Sequence, residues 1–158
     1  MFRAALILLA ATLAGCGLHL QGRLDLPAVM QQTYIQTDDT HSIFYLKLRR
    51  ELLASGINLV DEEDQATATL VIYLDDTDQR VLSVSARNVP TEYEVYYSIR
   101  YSVLSGEDII LDVQDLTLTR DYTYDATLVL GKEKEEQLLR DAIAKDLVRI
   151  VLEQISAH

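Results

Sequence analysis

Cys16 is the only cysteine of the 158-residue chain, and its neighbours suggest covalent chemistry at its thiol. The three residues directly before it are Leu13-Ala14-Gly15. Small residues there let a peptidase approach the backbone, and the sulfur of Cys16 is a nucleophile that can take a diacylglyceryl group. A lone cysteine cannot form an internal disulfide, so the fold must be stable without one.

The segment before Cys16 has the composition of a signal peptide. It begins with the basic Met1-Phe2-Arg3 and continues as an apolar run over residues 4–13, in which Thr12 is the one polar exception. That run is shorter than the about 20 residues that a membrane-spanning helix needs. The segment resembles the lipobox of bacterial lipoproteins, which implies that residues 1–15 are removed and that Cys16 carries lipid. The alternative is an ordinary signal peptide followed by a free or buried cysteine.

The mature chain, residues 16–158, has the length of a single domain, with residues 16–27 as a short linker from the lipid. The formal net charge of the whole chain is −11, which argues against binding to nucleic acid because the phosphate backbone needs basic partners. We therefore expect a soluble domain tethered to a membrane, with no nucleic acid among its partners.

The sequence offers no catalytic or metal-binding set of residues. The histidines His19, His41 and His158 do not have the spacing of metal ligands. The acidic runs at 61–64 and 75–78 have no glycine and no glutamate at the spacing of a calcium loop, so solvated turns are the better interpretation. A phosphate-binding glycine loop and a nucleophile elbow are also missing. We predict that the protein is not an enzyme and has no cofactor and no metal.

Alternation and helical periodicity predict the secondary structure. The predicted strands cover residues 33–37, 67–74, 92–104 and 109–124. The acidic run 75–78 interrupts the second strand, which resumes over residues 81–86. The predicted helices cover residues 43–55 and 132–155, each with an apolar stripe. This order predicts an α+β fold, a two-layer sandwich in which two helices pack on one face of a four-stranded, mainly antiparallel sheet.

Residues 92–104 form the clearest strand pattern in the chain. One face carries a stripe that we expect to be core: Tyr93, Val95, Tyr97, Ile99, Tyr101 and Val103. Tyr96 lies on the other face and is a candidate partner contact, as are Tyr122 and Tyr124 near the end of the next strand. In that next strand the apolar residues change from odd positions, 109 to 113, to even positions, 116 and 118. This change predicts a β-bulge near Gln114-Asp115.

The chain resembles a known family, the lipopolysaccharide-assembly lipoproteins LptE, over nearly its whole length. The resemblance rests on the start of the mature chain, Cys16-Gly17-Leu18-His19-Leu20, and on Arg120-Asp121-Tyr122-Thr123-Tyr124-Asp125 ahead of Gly131-Lys132-Glu133. The helix and short apolar exit over residues 46–60, and the long final helix that contains Asp146, complete the pattern.

The resemblance implies a specific role. Members of the family form a plug inside the outer-membrane β-barrel LptD, help that barrel to fold, bind lipopolysaccharide and assist its delivery to the cell surface. The positions that match the family's lipopolysaccharide-binding residues are Arg87 and Lys132, and their charge suits the phosphates of lipid A. Gly17 directly after the lipidated cysteine implies sorting to the outer membrane. The alternative is a periplasm-facing lipoprotein that binds another lipid or a peptide without a barrel partner.

Overall fold

A computed structural model of the chain describes residues 25–123 and 129–158, which form a mixed sheet and two long helices. The strands are β1 (Gln32–Gln36), β2 (Asn58–Val60), β3 (Ala68–Val84), β4 (Pro90–Ser105) and β5 (Asp108–Thr123). The helices are α1 (Ile43–Ala54) and α2 (Val129–Ser156), and short 3-10 turns lie at Ala28–Gln31 and Glu63–Gln65. The predicted signal peptide and lipidated Cys16 lie outside the described residues.

The sheet has five strands in the order β2-β1-β3-β4-β5. β1 is parallel to both β2 and β3, whereas β4 is antiparallel to both β3 and β5. The α+β class is confirmed, but the prediction of a four-stranded, mainly antiparallel sheet is wrong, because the sheet is mixed and has a fifth strand. The strand that the sequence does not predict is β2. It has three residues, and its only sequence signal is the apolar pair Leu59-Val60.

Helix α1 connects the parallel strands β1 and β2, as a crossover between parallel strands requires. Ser42 begins the helix, since its side-chain oxygen accepts a hydrogen bond of 2.9 Å from the backbone N–H of Tyr45. The predicted apolar stripe of Phe44, Leu48 and Leu52 is fully buried. Gly56 follows the helix with a φ of 87°, a left-handed conformation that favours glycine.

Strand β3 runs without interruption through residues 68–84, so the prediction that the acidic run 75–78 breaks it is wrong. The pairing of β3 with β4 is irregular between Ile72 and Leu74 and again after Val81, so the strand continues past these positions with β-bulges or similar irregularities. The carboxylate of Asp75 accepts hydrogen bonds from the hydroxyl groups of Ser42 and Tyr97, which lie in other segments. An acidic residue can therefore stay within a long strand here.

Strand β4 is the centre of the core, and the predicted stripe is confirmed. Its five residues Val95, Tyr97, Ile99, Tyr101 and Val103 are at most 1 % exposed. The bulge predicted in β5 is present slightly earlier than Gln114-Asp115. Gln114 pairs with Tyr101 and Leu111 with Val103, so β5 holds one extra residue between these two pairs.

Both helices pack on one face of the sheet, as predicted. Tyr97 and Tyr101 of β4 point to this face, where the Tyr97 hydroxyl contacts the start of α1 and the Tyr101 hydroxyl contacts Gln154 of α2. Residues from α1, α2 and β1 to β5 share one apolar cluster between the layers. The opposite face of the sheet, which we call the open face, carries no helix among the described residues.

The hairpin of β3 and β4 extends far beyond the parallel strands. β1 pairs only with residues 68–71 of β3. At about 3.3 Å per residue, the 17 residues of β3 extend about 55 Å. We call the end where β1 begins the proximal end. Residues 81–89, which are the last four residues of β3 and the turn that leads into β4, are called the distal tip.

Candidate functional site

The turn of the distal tip is held by its own hydrogen bonds. The backbone N–H of Ser85 donates to the carbonyl oxygen of Val89 at 2.8 Å, and the N–H of Asn88 donates to the carbonyl oxygen of Ser85 at 2.9 Å. The Ser85 hydroxyl also accepts from the N–H of Val89 at 3.2 Å. Asn88 has a φ of 58°, which asparagine tolerates better than most residues. The turn therefore presents its side chains in a defined arrangement.

Arg87 lies in this turn and is exposed. It forms no ion pair with any residue of the described ranges, although the chain as a whole is strongly acidic. Aliphatic side chains surround its position along the hairpin, and each of them is 46 to 53 % exposed: Val81, Leu82, Val84 and Val89. The tip thus combines one unpaired cation with exposed apolar surface.

Lys132 belongs to the same end of the molecule by its backbone, although its side chain lies outside what the structure describes. Helix α2 runs from the distal to the proximal end. Arg140 near its start reaches Thr77 at 2.9 Å, and Gln154 near its end accepts from Tyr101 at 2.5 Å. Lys132 is in the first turn of this helix. The structure therefore places the two predicted lipopolysaccharide-binding positions, Arg87 and Lys132, towards one end of the domain.

The three candidate partner tyrosines have different surroundings. Tyr96 is on the open face, partly exposed, with the guanidinium of Arg80 6.0 Å from its ring centre. Tyr122 is only 8 % exposed, since its ring stacks on Tyr93 at 5.7 Å and its hydroxyl donates to Gln79 at 2.7 Å. Its position is in the core, which corrects its choice as a partner contact. Tyr124 lies outside the described residues.

The open face has a polar and an apolar part. Towards the middle of β4 and β5, Ser98 bonds to Thr117 at 2.8 Å and Arg100 pairs with Asp115 at 2.6 Å. Nearer the proximal end, Tyr73 and Leu74 are exposed, and the Tyr73 hydroxyl bonds to Ser102 at 3.0 Å. An aromatic ring, aliphatic groups and polar groups that lie side by side on a sheet face are typical of protein interfaces.

Asp75 is the centre of a hydrogen-bonded group that the sequence does not predict. The Tyr97 hydroxyl donates to one carboxylate oxygen of Asp75 at 2.7 Å, and the Ser42 hydroxyl donates to the other. The Tyr97 oxygen in turn accepts from the N–H of Phe44 at 3.2 Å. Burial raises the pKa of Asp75 above its ordinary value, although the two hydrogen bonds oppose this shift. Burial, followed by the contact with Asp75, also raises the pKa of Tyr97.

This group attaches the start of helix α1 to the sheet, where the N-terminal end of the helix also favours a negative charge. Its members are Ser42, Asp75 and Tyr97, so the nearest two are 22 residues apart along the chain. No local pattern in the sequence relates them. Their hydrogen bonds are used to position the helix, and the structure gives no reason to assign them catalysis.

Arg140 is a second residue that the sequence did not single out. Its guanidinium binds the carboxylate of Glu136 at 2.7 Å and the hydroxyl of Thr77 at 2.9 Å, and its side chain is 17 % exposed. It therefore connects α2 to the middle of β3. The helical spacing of Glu136 and Arg140 was the one available signal, but spacing alone does not reveal the contact with the sheet.

The described residues hold no group of three or more histidine, cysteine, aspartate or glutamate side chains that could bind a metal ion. Within the same part of the chain, neither helix has the length and apolar character to cross a membrane.

The sequence is similar to proteins of one known family. A sequence profile of the family LptE, described as lipopolysaccharide-assembly, matches residues 27–155. The chain is 26 % identical to the LPS-assembly lipoprotein LptE of Pectobacterium atrosepticum, with 96 % of this chain and 85 % of that protein covered. It is also 26 % identical to the LPS-assembly lipoprotein LptE of Yersinia enterocolitica, with 88 % of this chain and 69 % of that protein covered.

Solved structures have the same fold. Lipoprotein B of Nitrosomonas europaea superposes with a TM-score of 0.72 at 25 % identity and covers 84 % of each chain. Rare lipoprotein B of Shewanella oneidensis superposes with a TM-score of 0.69 at 20 % identity and covers 80 % of this chain and 94 % of its own. Because the family profile spans well over half of the sequence, the chain belongs to the LptE family of lipopolysaccharide-assembly lipoproteins.

Proposed function

We propose that this protein is an outer-membrane lipoprotein that forms a plug inside the β-barrel LptD. In this role it assists the assembly of the barrel, binds lipopolysaccharide and helps to deliver it to the cell surface. The proposal rests on membership of the family and on one structural observation. The first described residues, 25–31, lie at one end of an elongated domain, and Arg87 lies at the other end.

The proximal end is fixed to the sheet at the point where the linker arrives. The Thr33 hydroxyl donates to the carbonyl oxygen of Met30 at 2.7 Å, and the Thr67 hydroxyl donates to that of Val29. Met30 is fully buried. Lipid on Cys16 would therefore hold the domain at its proximal end, close to the leaflet that contains the lipid.

The length of the domain suits a plug that crosses the thickness of a membrane. The hairpin alone extends about 55 Å, whereas a bilayer with its headgroups is about 40–45 Å thick. A domain tethered in the inner leaflet and enclosed by a barrel can thus place its distal tip at the level of the outer leaflet. This geometry supports a role for the tip in handling an outer-leaflet lipid.

Charge supports Arg87 and Lys132 as the lipopolysaccharide-binding residues. An acidic domain repels anionic ligands except where a cation is locally unopposed, and Arg87 is such a cation among the described residues. Guanidinium and ammonium groups are the side chains that bind phosphate most strongly. The two residues would act together because both belong to the distal end.

The open face is the surface that we propose for contact with the barrel wall. Tyr96 and Tyr73 are at least partly exposed there, and tyrosine is enriched in interfaces because its ring packs while its hydroxyl stays hydrated. Tyr122 is left out of this surface because it is buried.

Co-purification tests the plug role. The lipoprotein is extracted from its native membrane in mild detergent through a tag at its C-terminus. We expect a large β-barrel protein to be recovered with it in equal amount. Replacement of Tyr73 and Tyr96 by glutamate on the open face should reduce this recovery, whereas the α1 surface variant Leu46→Glu should not. Consistent purification of the lipoprotein alone would contradict the plug role.

Depletion separates this role from the alternative of a periplasm-facing lipoprotein that binds another lipid or a peptide. The plug role predicts loss of mature LptD barrel and of lipopolysaccharide at the cell surface when the protein is depleted. Normal amounts of both would favour the alternative.

Charge reversal tests the binding residues. Arg87→Glu and Lys132→Glu should each weaken lipopolysaccharide binding about tenfold, because a charged hydrogen bond to phosphate is lost and a repulsive charge is added. Arg49→Glu is the matched control, since Arg49 is an exposed arginine of α1 that has no ion pair within the described ranges. Equal binding by all three variants and the unchanged protein would refute the assignment of Arg87 and Lys132.

A further inference from the structure

We infer that the distal tip binds the acyl chains of its lipid ligand as well as the phosphate. Four side chains form the surface for the acyl chains, and we call them the aliphatic cluster: Val81, Leu82, Val84 and Val89. This inference deepens the proposed function and rests on it, because it says which part of lipopolysaccharide each side chain of the tip would contact.

The aliphatic cluster is the densest group of exposed apolar side chains in the described part of the chain. Eleven large hydrophobic residues are at least 40 % exposed there, and four of them fall within the nine residues of the tip. Single exposed aliphatic residues need no explanation, but four of them within nine residues indicate a surface that binds a partner.

The cluster covers both sides of the hairpin. Val81 pairs with Tyr93 and so points to the helix side of the sheet, and the register then shifts between Val81 and Ser83. The shift and the turn spread the neighbouring aliphatic groups around the tip, where all four stay about half exposed. A partner on one side of the hairpin would leave part of the cluster exposed, whereas flexible acyl chains can cover side chains on both sides.

The chemistry of the tip favours lipid over protein as the occupant. The energetic centres of protein interfaces are rich in tryptophan, tyrosine and arginine, whereas valine and leucine are under-represented there. Residues 81–89 contain no aromatic side chain, and Arg87 is their only charged residue. One cation within an aliphatic surface matches an amphiphile that has an anionic headgroup and hydrocarbon chains.

The test compares two ligands. One is complete lipopolysaccharide, and the other is its phosphorylated saccharide after removal of all acyl chains. The binding of each is measured to the mature chain, residues 16–158, immobilised through a C-terminal tag. The tip variant carries Val84→Ser and Val89→Ser. The matched control carries Leu46→Ser and Leu53→Ser on α1, two leucines of similar exposure far from the tip.

The tip variant should bind complete lipopolysaccharide about tenfold more weakly, since it loses apolar contact surface, and should bind the deacylated saccharide as the unchanged protein does. Arg87→Glu should weaken the binding of both ligands, because it acts on the phosphate. The control variant should behave as the unchanged protein. Circular dichroism verifies that each variant is folded.

Each of the following results would overturn the inference, and the last of them also overturns the proposed lipopolysaccharide binding. If the tip variant binds complete lipopolysaccharide normally, or loses both ligands to the same degree, the cluster does not bind acyl chains although lipopolysaccharide binding stands. If the variant binds both ligands normally but no longer purifies with the barrel, the cluster contacts protein. If the unchanged protein binds neither ligand, the proposed lipopolysaccharide binding fails as well.

Discussion

The two ends of strand β3 have opposite surroundings. At the proximal end, residues 68–72 are all buried, because β1 pairs on one side, β4 pairs on the other and the helices cover one face. At the distal tip, Val81, Leu82 and Val84 are about half exposed although they are equally apolar. The same type of side chain is therefore core at one end and surface at the other. The buried contacts that stabilise the fold are therefore concentrated at the proximal end, and the tip is free to serve binding.

The largest expected effect is at the proximal core. Phe44→Ala removes a fully buried ring of α1 from the core cluster, and it should lower the free energy of unfolding by about 3–5 kcal/mol. Urea denaturation followed by circular dichroism measures this change. Leu82→Ala at the tip is the control and should cost less than about 0.5 kcal/mol. Similar losses in both variants would show that the tip contributes to the core after all.

The next effect concerns the contact between α1 and β3. Asp75→Ala removes the acceptor of the Tyr97 and Ser42 hydroxyl groups and should lower the free energy of unfolding by about 1–3 kcal/mol. The same denaturation experiment measures it. Asp76→Ala is the control, since Asp76 is exposed on the same strand, and its replacement should change little. An unchanged stability of Asp75→Ala would mean that water replaces these hydrogen bonds without cost.

The pH dependence of that variant gives a separate prediction. The pKa of Asp75 is raised above its unfolded value of 3.8 because burial disfavours its charged form. In the window between these two values the folded protein binds more protons than the unfolded protein, so ionisation lowers stability as the pH rises. The stability advantage of the unchanged protein over Asp75→Ala should therefore decrease as the pH rises from below 3.8. Equilibrium unfolding at several pH values measures this, and an increase would contradict the direction of the shift.

The sequence predicts most of what depends on local pattern. Alternation over residues 92–104 identifies the buried face of β4, and the stripe of Phe44, Leu48 and Leu52 identifies the buried face of α1. Both predictions succeed because each element is long enough for its period to be measured. Strand β2 fails this condition, since three residues cannot show a period. Its parallel pairing with β1 depends on where α1 returns the chain, which no local signal specifies.

The errors at Asp75 and Tyr122 have a common cause. Four consecutive polar residues predict a solvated turn at Asp75, yet Ser42 and Tyr97 supply its hydrogen bonds from distant segments. The position of Tyr122 near the end of its strand predicts an exposed contact, yet it stacks on Tyr93 of the neighbouring strand. Tertiary contacts determine the surroundings of both residues. Prediction of the candidate site has the same limit, because Arg87 and Lys132 came from family resemblance, and only the fold brings their backbones to one end.

A smaller effect is expected halfway between the two ends, where Arg140 attaches α2 to β3. Arg140→Ala removes the hydrogen bond to Thr77 and leaves Glu136 without this partner, which should cost about 1–2 kcal/mol. Arg149→Ala is the matched control because it removes a helical ion pair of the same spacing, with Glu153, that is half exposed. That pair should contribute about 0.3–0.5 kcal/mol. Equal effects would mean that the contact with Thr77 adds nothing to the stability of the fold.

The smallest effect on stability should occur at the distal tip, and its small size is what separates the two ends of β3. Val84→Ser replaces an aliphatic side chain that is 53 % exposed, so little buried surface is lost and the free energy of unfolding should change by less than about 0.5 kcal/mol. The hydrogen bonds of Ser85 keep the turn in place because they use its backbone and its own hydroxyl.

Urea denaturation of the free protein measures the change in the free energy of unfolding of Val84→Ser. Leu70→Ser in the buried half of the same strand is the contrasting variant, with an expected loss above about 2 kcal/mol. A loss at Val84 as large as that at Leu70 would mean that the tip residue is needed for folding. If Val84→Ser is as stable as the unchanged protein, the aliphatic side chain of Val84 is not needed for folding. Binding is then the reason why this exposed residue is apolar.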